Sequence, residues 1–385
     1  MSTLLVPVAQ IENLRIHPNA SMLAICDILG WQMVVPLREN SEGQFVREFV
    51  KEDGKDVPFD AEKHVGLEKF SKKFSFSYAN GDKVVYFPID TLIPAEWADK
   101  WNIRKYLQGK EKDRVGRIQL RGEPSFGLAV ALPEGQNWEV GTNVADFYGA
   151  QKYEPPIRPL CGDADTPHPL LEGYTEIENM RNYPTVFCDG EEVIVTEKIH
   201  GTSCRVAVLE GVHNAGSMSL RRKKPETEEA MKTNLYWMPW TLPTVKALLE
   251  GIYAETGAKQ IILYGETYGC GVQKNFVYGL KNAMSFRAFD LKVGGKYLDY
   301  DDFKNACDKY GVEVAPILYR GPFSLAKIKE VSEGNTTLTE QQQIREGTVT
   351  KPAKERTDPR IGRVVLKYLS NAYLLLKGIS DYTEV

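Results

Sequence analysis

A chain of 385 residues is longer than one typical domain, at roughly 150 residues each, and suits two. With 42% hydrophobic and 26% charged residues it has an ordinary globular composition, which excludes disordered and fibrous classes. The formal net charge of -4 supplies no overall basic field, so any face that binds a polyanion has to be local. No run approaches the roughly 20 apolar residues of a membrane span, and Met1 to Val8 lacks a signal peptide's basic flank and cleavage-like site. The chain is therefore expected to be intracellular and cytoplasmic, with no membrane partner. Cys26, Cys161, Cys188, Cys204, Cys270 and Cys307 are scattered without zinc-site or redox spacing and are expected to be free thiols.

From Leu4 to about Leu132 short β-rich runs predominate, among them Met33-Val34-Val35 and Lys83 to Phe87, separated by turn signals at Asn40-Ser41 and Asn80-Gly81-Asp82. They predict a small all-β barrel over residues 1–150. The stretches LLVPVAQIENLRIHPNASMLAICDILGWQMVV, GDKVVYFPIDTLIP and RIQLRGEPSFGLAV resemble OB-fold domains that accompany RNA-handling enzymes. Lys69 to Lys73 (KFSKK) is the first of two basic clusters. A Pro-rich stretch without periodicity then predicts a linker over residues 151–169.

Residues 170–385 read as a second, α+β domain. Val193 to Val195, Ile261 to Tyr264, Phe286 to Phe289 and Val364 to Leu366 have the look of buried strands, while Pro243 to Thr256 and Tyr300 to Tyr310 have helical spacing. Arg221 to Lys224 (RRKK) is the second basic cluster. No internal repeat or low-complexity tract is present.

Within this domain Thr196-Glu197-Lys198-Ile199-His200-Gly201-Thr202-Ser203 sets a lysine at a strand end, just before a glycine that lets the backbone turn closely around a ligand. Such a lysine alone is usually a surface residue. Here it is followed by Glu266 in Tyr264-Gly265-Glu266, Asp290 after Phe286 to Phe289, Glu346 before Gly347, and Lys367 after Val364 to Leu366. Lysine, basic pair, carboxylate, aromatic strand, carboxylate and lysine together supply the parts needed to activate a nucleotide α-phosphate.

In that order, and in the stretch TEKIHGTS, the chain resembles the covalent nucleotidyltransferases and, among them, the ATP-dependent RNA ligases. IENMRNYP, NLYW and GCGVQKNFVYG look like the Naegleria/Deinococcus-type enzymes, which join an N-terminal OB domain to an adenylyltransferase domain, so the resemblance covers nearly the whole chain. It implies an α+β nucleotidyltransferase domain, ATP-grasp-like, behind an all-β OB fold. It also implies sealing of RNA 3′-hydroxyl and 5′-phosphate ends through lysyl-AMP on Lys198 and an RNA-adenylate. The implied ligands are ATP, Mg²⁺ or Mn²⁺, and nicked or broken RNA, with the protein acting as a monomer.

The resemblance assigns catalytic roles to Lys198, His200 and Lys367, with His200 acting after lysine adenylation. Lys367 also contacts the α-phosphate, whose growing charge needs preorganised cations. The backbone of Glu197 and Ile199 reads the adenine edge, and Phe289 or Phe286, on opposite strand faces, stacks on the base. Arg221 or Arg222 contacts ribose or phosphate, with the register open by one residue. Glu346 and Glu266 hold the metal, or Glu266 accepts from the ribose hydroxyls. The family often has Lys-x-Lys near its last motif, whereas this chain has Lys367 alone between Leu366 and Tyr368.

Two rival readings are a DNA ligase or GTP-using capping guanylyltransferase, and a non-catalytic RNA-binding or repair scaffold. The first usually adds a C-terminal OB domain, for which Val385 leaves no room after Lys367. The complete residue set argues against the second.

Overall fold

The computed structural model describes residues 4–153 and 163–376, and the chain divides into two compact units, Thr3–Pro155 and Pro156–Val385. Of the linker expected at 151–169, residues 154–162, with Cys161, lie outside the described residues. Its described ends are both engaged in strand pairing. Gln151–Lys152 pairs antiparallel with Thr91–Leu92, and Asp163 to Asp165 runs along Arg221 to Lys223. The five described cysteines are free. No helix among the described residues is long and apolar enough to cross a membrane.

The first unit is dominated by antiparallel strands. Six pair in the order Glu12–Ile16, Leu23–Ile28, Trp31–Glu39, Phe70–Phe76, Phe45–Glu52 and Lys55–Pro58, while Lys83–Phe87 lies between Val8–Gln10 and Leu128–Ala131. Side-chain alternation accounts for Trp31–Glu39: Trp31, Met33, Val35 and Leu37 are buried, and the residues between them are not. At the Asn40 turn the side chain accepts from Glu42 N at 3.0 Å, and Gly81 takes a φ of 91° in the next predicted turn. Much of the charge in the Lys69 to Lys73 cluster is met locally, since Lys69 pairs with Glu48 at 2.8 Å and Lys72 with Glu39 and Asp56 at 2.8 and 2.9 Å.

The second unit contains two five-stranded sheets. One runs Glu178–Asn179, Leu366–Leu369, Gly347–Pro352, Glu192–Lys198, Ile317–Pro322; the other runs Val212–Gly216, Thr202–Leu209, Gln260–Gly269, Met284–Val293, Lys296–Tyr297. Helices Pro243–Thr256 and Tyr300–Tyr310 form over the spans with helical spacing. Val245, Leu248, Leu249 and Ile252 make one buried stripe on the first helix, which starts on a proline and stops at Gly257 with a φ of 62°. This stripe packs with Phe303 and Cys307 of the other helix and with Val206, Val208, Leu263 and Leu291 of the second sheet.

A buried ion cluster ties the sheets together. Asp290, 0% exposed, lies 3.0 Å from Lys351 Nζ of the other sheet, and it accepts from Arg363 Nη2 at 2.7 Å and Tyr174 OH at 2.6 Å. Lys351 also donates to Phe289 O at 2.8 Å. Burial alone would raise the Asp290 carboxyl, but Lys351 and Arg363 outweigh it and hold the group below the ordinary aspartate value. A carboxyl with a depressed folded-state pKa stabilises the fold above its unfolded value and loses that contribution as pH falls through the folded one. Asp290→Asn, which leaves buried cations without their anion, is expected to cost about 3 kcal/mol at neutral pH. Urea unfolding should show the difference shrinking on acidification; an equally stable variant at neutral pH refutes the assignment.

Candidate functional site

The strand Glu192–Lys198 ends in one sheet and Thr202–Leu209 begins the other, so Ile199-His200-Gly201 is the crossing between them. The crossing is tight. A Cβ on Gly201 would lie 2.3 Å from Thr267 O and 2.8 Å from Glu266 Cγ, so only glycine fits. Glu266 Oε1 accepts from Gly201 N at 3.0 Å, and Gln273 Nε2 donates to Gly201 O at 2.8 Å. Glu266 thus holds the turn with one of its oxygens.

Lys198 sits at the lip of this crossing with its Nζ 2.9 Å from Glu346 Oε1, the two side chains being 16% and 6% exposed. Glu346 immediately precedes the strand Gly347–Pro352, and its carbonyl accepts from Ser370 N at 2.9 Å. Burial pushes its carboxyl up, but Lys198 and His200 prevail and keep it below the usual glutamate range. The second oxygen, Oε2, is buried with His200 Nδ1 at 3.5 Å and has no hydrogen-bond partner among the described residues.

That orphaned oxygen suits a hard cation. Mg²⁺ prefers one or two carboxylates, retained waters and phosphate oxygens over a full cage of protein ligands. Consistent with this, no group of three or more His, Cys, Asp or Glu among the described residues is arranged to hold a metal alone.

Lys367 lies in Leu366–Leu369 directly opposite Val349, and Val349 lies opposite Thr196. Cross-strand partners share a face, so Lys367 and Lys198 project from the same side of the sheet. Val365 and Leu369, the alternate positions flanking Lys367, are each 1% exposed and apolar.

Glu197 points the other way. Its side chain accepts from the Thr336 hydroxyl, from Thr337 N at 2.9 Å and from Thr337 Oγ1 at 2.8 Å, with Arg345 Nε at 3.5 Å. Its amide donates to Pro316 O at 2.8 Å. The expected adenine contact through the Glu197 backbone is thereby narrowed to its carbonyl side. Ile199 is buried in an apolar group with Tyr268, Phe276, Tyr278, Ala315 and Tyr373, against which Phe289 and Leu338 pack.

Phe289 and Phe286 part company. Phe286 is 2% exposed in the core behind the sheet, where its ring fills the space above Gly265, and it has no access to a ligand. Phe289 is half-buried beside Ile199, edge-on to Tyr174 at 4.9 Å. Of the two, Phe289 is the less enclosed.

Arg221 and Arg222 make isolated β-bridges, to Gly216 and to Ala164 respectively, and both are engaged by the segment Asp163 to Asp165. Arg222 Nη1 is 2.8 Å from Asp163 Oδ1, Arg221 Nη2 is 3.5 Å from Asp165 Oδ2, and Asp165 N donates to Arg221 O at 2.9 Å. Arg222 also lies over the Tyr236 ring at 4.6 Å, and Tyr236 interacts with Thr202 of the crossing, so Arg222 is the one coupled to the turn. Sequence reasoning gave no role to Thr336, Thr337, Phe276, Tyr278 or Tyr373. GCGVQKNFVYG contains two of them and was a visible signal, whereas the others carry none.

Comparison with curated protein sequences finds no match. Among solved structures the chain is similar to Naegleria gruberi RNA ligase, as a mutant with ATP and Mn (21% identity, 96% of this chain and 98% of that one, TM-score 0.65). It is likewise similar to that ligase with PPi (21% identity, 97% and 98%, TM-score 0.64). The chain therefore shares that ligase's mixed α/β fold. Residues 191–369, which hold Lys198, Glu266, Glu346 and Lys367, match the family model described as RNA ligase.

Proposed function

We propose that the protein is an ATP-dependent RNA ligase that joins 3′-hydroxyl and 5′-phosphate ends. The observation that carries this reading is Lys198 at the glycine crossing, paired with the buried Glu346 and sharing a face with Lys367, inside an RNA ligase family domain. The Naegleria gruberi ligase forms with ATP and Mn, with AMP and Mn and with PPi add support for the nucleotide and a divalent metal.

In the first step Lys198 Nζ loses its proton and attacks the α-phosphorus. The N–P bond forms, the bond to the β-phosphate breaks, and pyrophosphate leaves. The ion pair with Glu346 favours the ammonium, so that pairing must loosen before attack. Glu346, with Glu266 as second carboxylate, would hold a divalent cation that supplies positive charge to the phosphate oxygens. Lys367 meets the charge growing on the nonbridging oxygens. Phe289 stacks on adenine beside Ile199, and Arg222 or Arg221 contacts ribose or phosphate after exchanging its aspartate.

AMP then passes from Lys198 to the RNA 5′-phosphate, the N–P bond breaking. A 3′-hydroxyl next attacks that phosphate and AMP leaves as the phosphodiester forms, with His200 serving these later steps. The N-terminal unit, read as an OB barrel over 1–150, grips the RNA by stacking and basic contacts.

Labelled ATP with Mg²⁺ is expected to leave label on the denatured protein, and Lys198→Ala to abolish it. Label from GTP instead means a capping enzyme, and label from neither means a scaffold. Matched nicks with ribose or deoxyribose at each end then separate RNA from DNA ligase. Glu346→Ala should slow adenylation by roughly 100-fold or more, in the range for a lost group that organises transition-state charge; near-normal rates exclude the metal role.

Removing residues 1–150 is expected to leave lysine adenylation largely intact and to cripple sealing of RNA ends. Equal loss of both activities means that the barrel only supports the fold.

A further inference from the structure

His200 is fixed more completely than a turn residue requires. Its backbone N–H donates to Tyr278 OH at 2.6 Å, and its ring meets Phe276 edge-on at 4.4 Å and Tyr373 at 5.4 Å. Its Nδ1 lies 3.2 Å from Tyr373 OH and 3.5 Å from Glu346 Oε2.

Tyr373 is 1% exposed. A phenylalanine would fill the same space without burying a hydroxyl, whose desolvation is unfavourable unless it is hydrogen-bonded. The hydroxyl therefore calls for a reason, and the imidazole beside it supplies one.

The residue's placement is coupled to Glu346. Tyr373 lies in the short helix Asn371–Leu374, whose cap, Ser370 Oγ, accepts from Tyr373 N at 3.1 Å and donates to Arg345 O at 2.8 Å. Ser370 N donates to Glu346 O at 2.9 Å. One serine thus registers both groups that meet Nδ1. Tyr373 also lies beyond residue 369, where the match to the RNA ligase family ends.

We propose that Tyr373 is a positioning residue whose hydroxyl engages His200 Nδ1, on the side of the ring that faces Glu346, and so presents Nε2 to the phosphates in the two steps after lysine adenylation. The inference rests on the RNA ligase reading. Fixing one ring nitrogen in this way sets the orientation and role of the other.

The test compares Tyr373→Phe, His200→Ala and the double variant in the full chain. Lysine adenylation is read with labelled ATP, and sealing is read on a nick already carrying AMP at its 5′-phosphate. Tyr373→Phe is expected to adenylate normally, which also shows that it is folded. It should seal ~10-fold more slowly, as when a supporting partner is lost, with an unchanged KM for the nick. The double variant is expected to seal no more slowly than His200→Ala, because the hydroxyl acts only through that ring. Full sealing by Tyr373→Phe, losses that multiply in the double variant, or loss of adenylation as well would each overturn the proposal. Failure of the unsubstituted chain to adenylate itself or to seal the charged nick counts instead against the RNA ligase reading.

Discussion

A carboxylate almost without solvent has to be shared, and the site is organised around that requirement. Glu346 meets Lys198 through one oxygen and faces His200 with the other, so a single buried charge relates Lys198 to the residue two positions on. An anion this buried is tolerated because cations and donors surround it. The crossing supplies them by delivering Lys198 and His200 to one place within a few residues.

A second buried carboxylate, Asp290, performs a different task with similar physics. Its partners come from different elements, Lys351 from the opposing sheet, Arg363 from a hairpin and Tyr174 from the segment leading into the unit. Pairing across sheets links them at Phe289, whose carbonyl Lys351 also engages and whose ring packs with Ile199. One carboxylate joins the sheets, and the other joins Lys198 and His200 at the crossing.

What was legible in the sequence follows the range of the interactions. Lys198 and Gly201 were visible because a lysine at a strand end followed by a required glycine is a local pattern, and the helix Pro243–Thr256 was visible because its stripe and its end signals are local too. Phe289 and Phe286 could not be separated by alternation alone. The pairing slips between Tyr264 and Gly265, and which strand face covers the core depends on helices elsewhere in the chain. The partners of Arg221 and Arg222 were hidden for a similar reason: Asp163 and Asp165 lie in a stretch whose composition reads as linker, and only the fold brings them alongside. Glu197 has the same difficulty, since its Thr336 and Thr337 partners are distant in the chain.

The aspartates on this basic edge change what any measurement of its charge will report. A phosphate arriving at Arg221 or Arg222 would not meet bare guanidinium groups; it would replace carboxylates already there. The net electrostatic gain is the difference between two anions on one cation. Salt dependence of phosphate binding at these positions would accordingly be shallower than a count of the arginines in RRKK suggests, and discrimination would fall to geometry, where a tetrahedral phosphate and a planar carboxylate differ most.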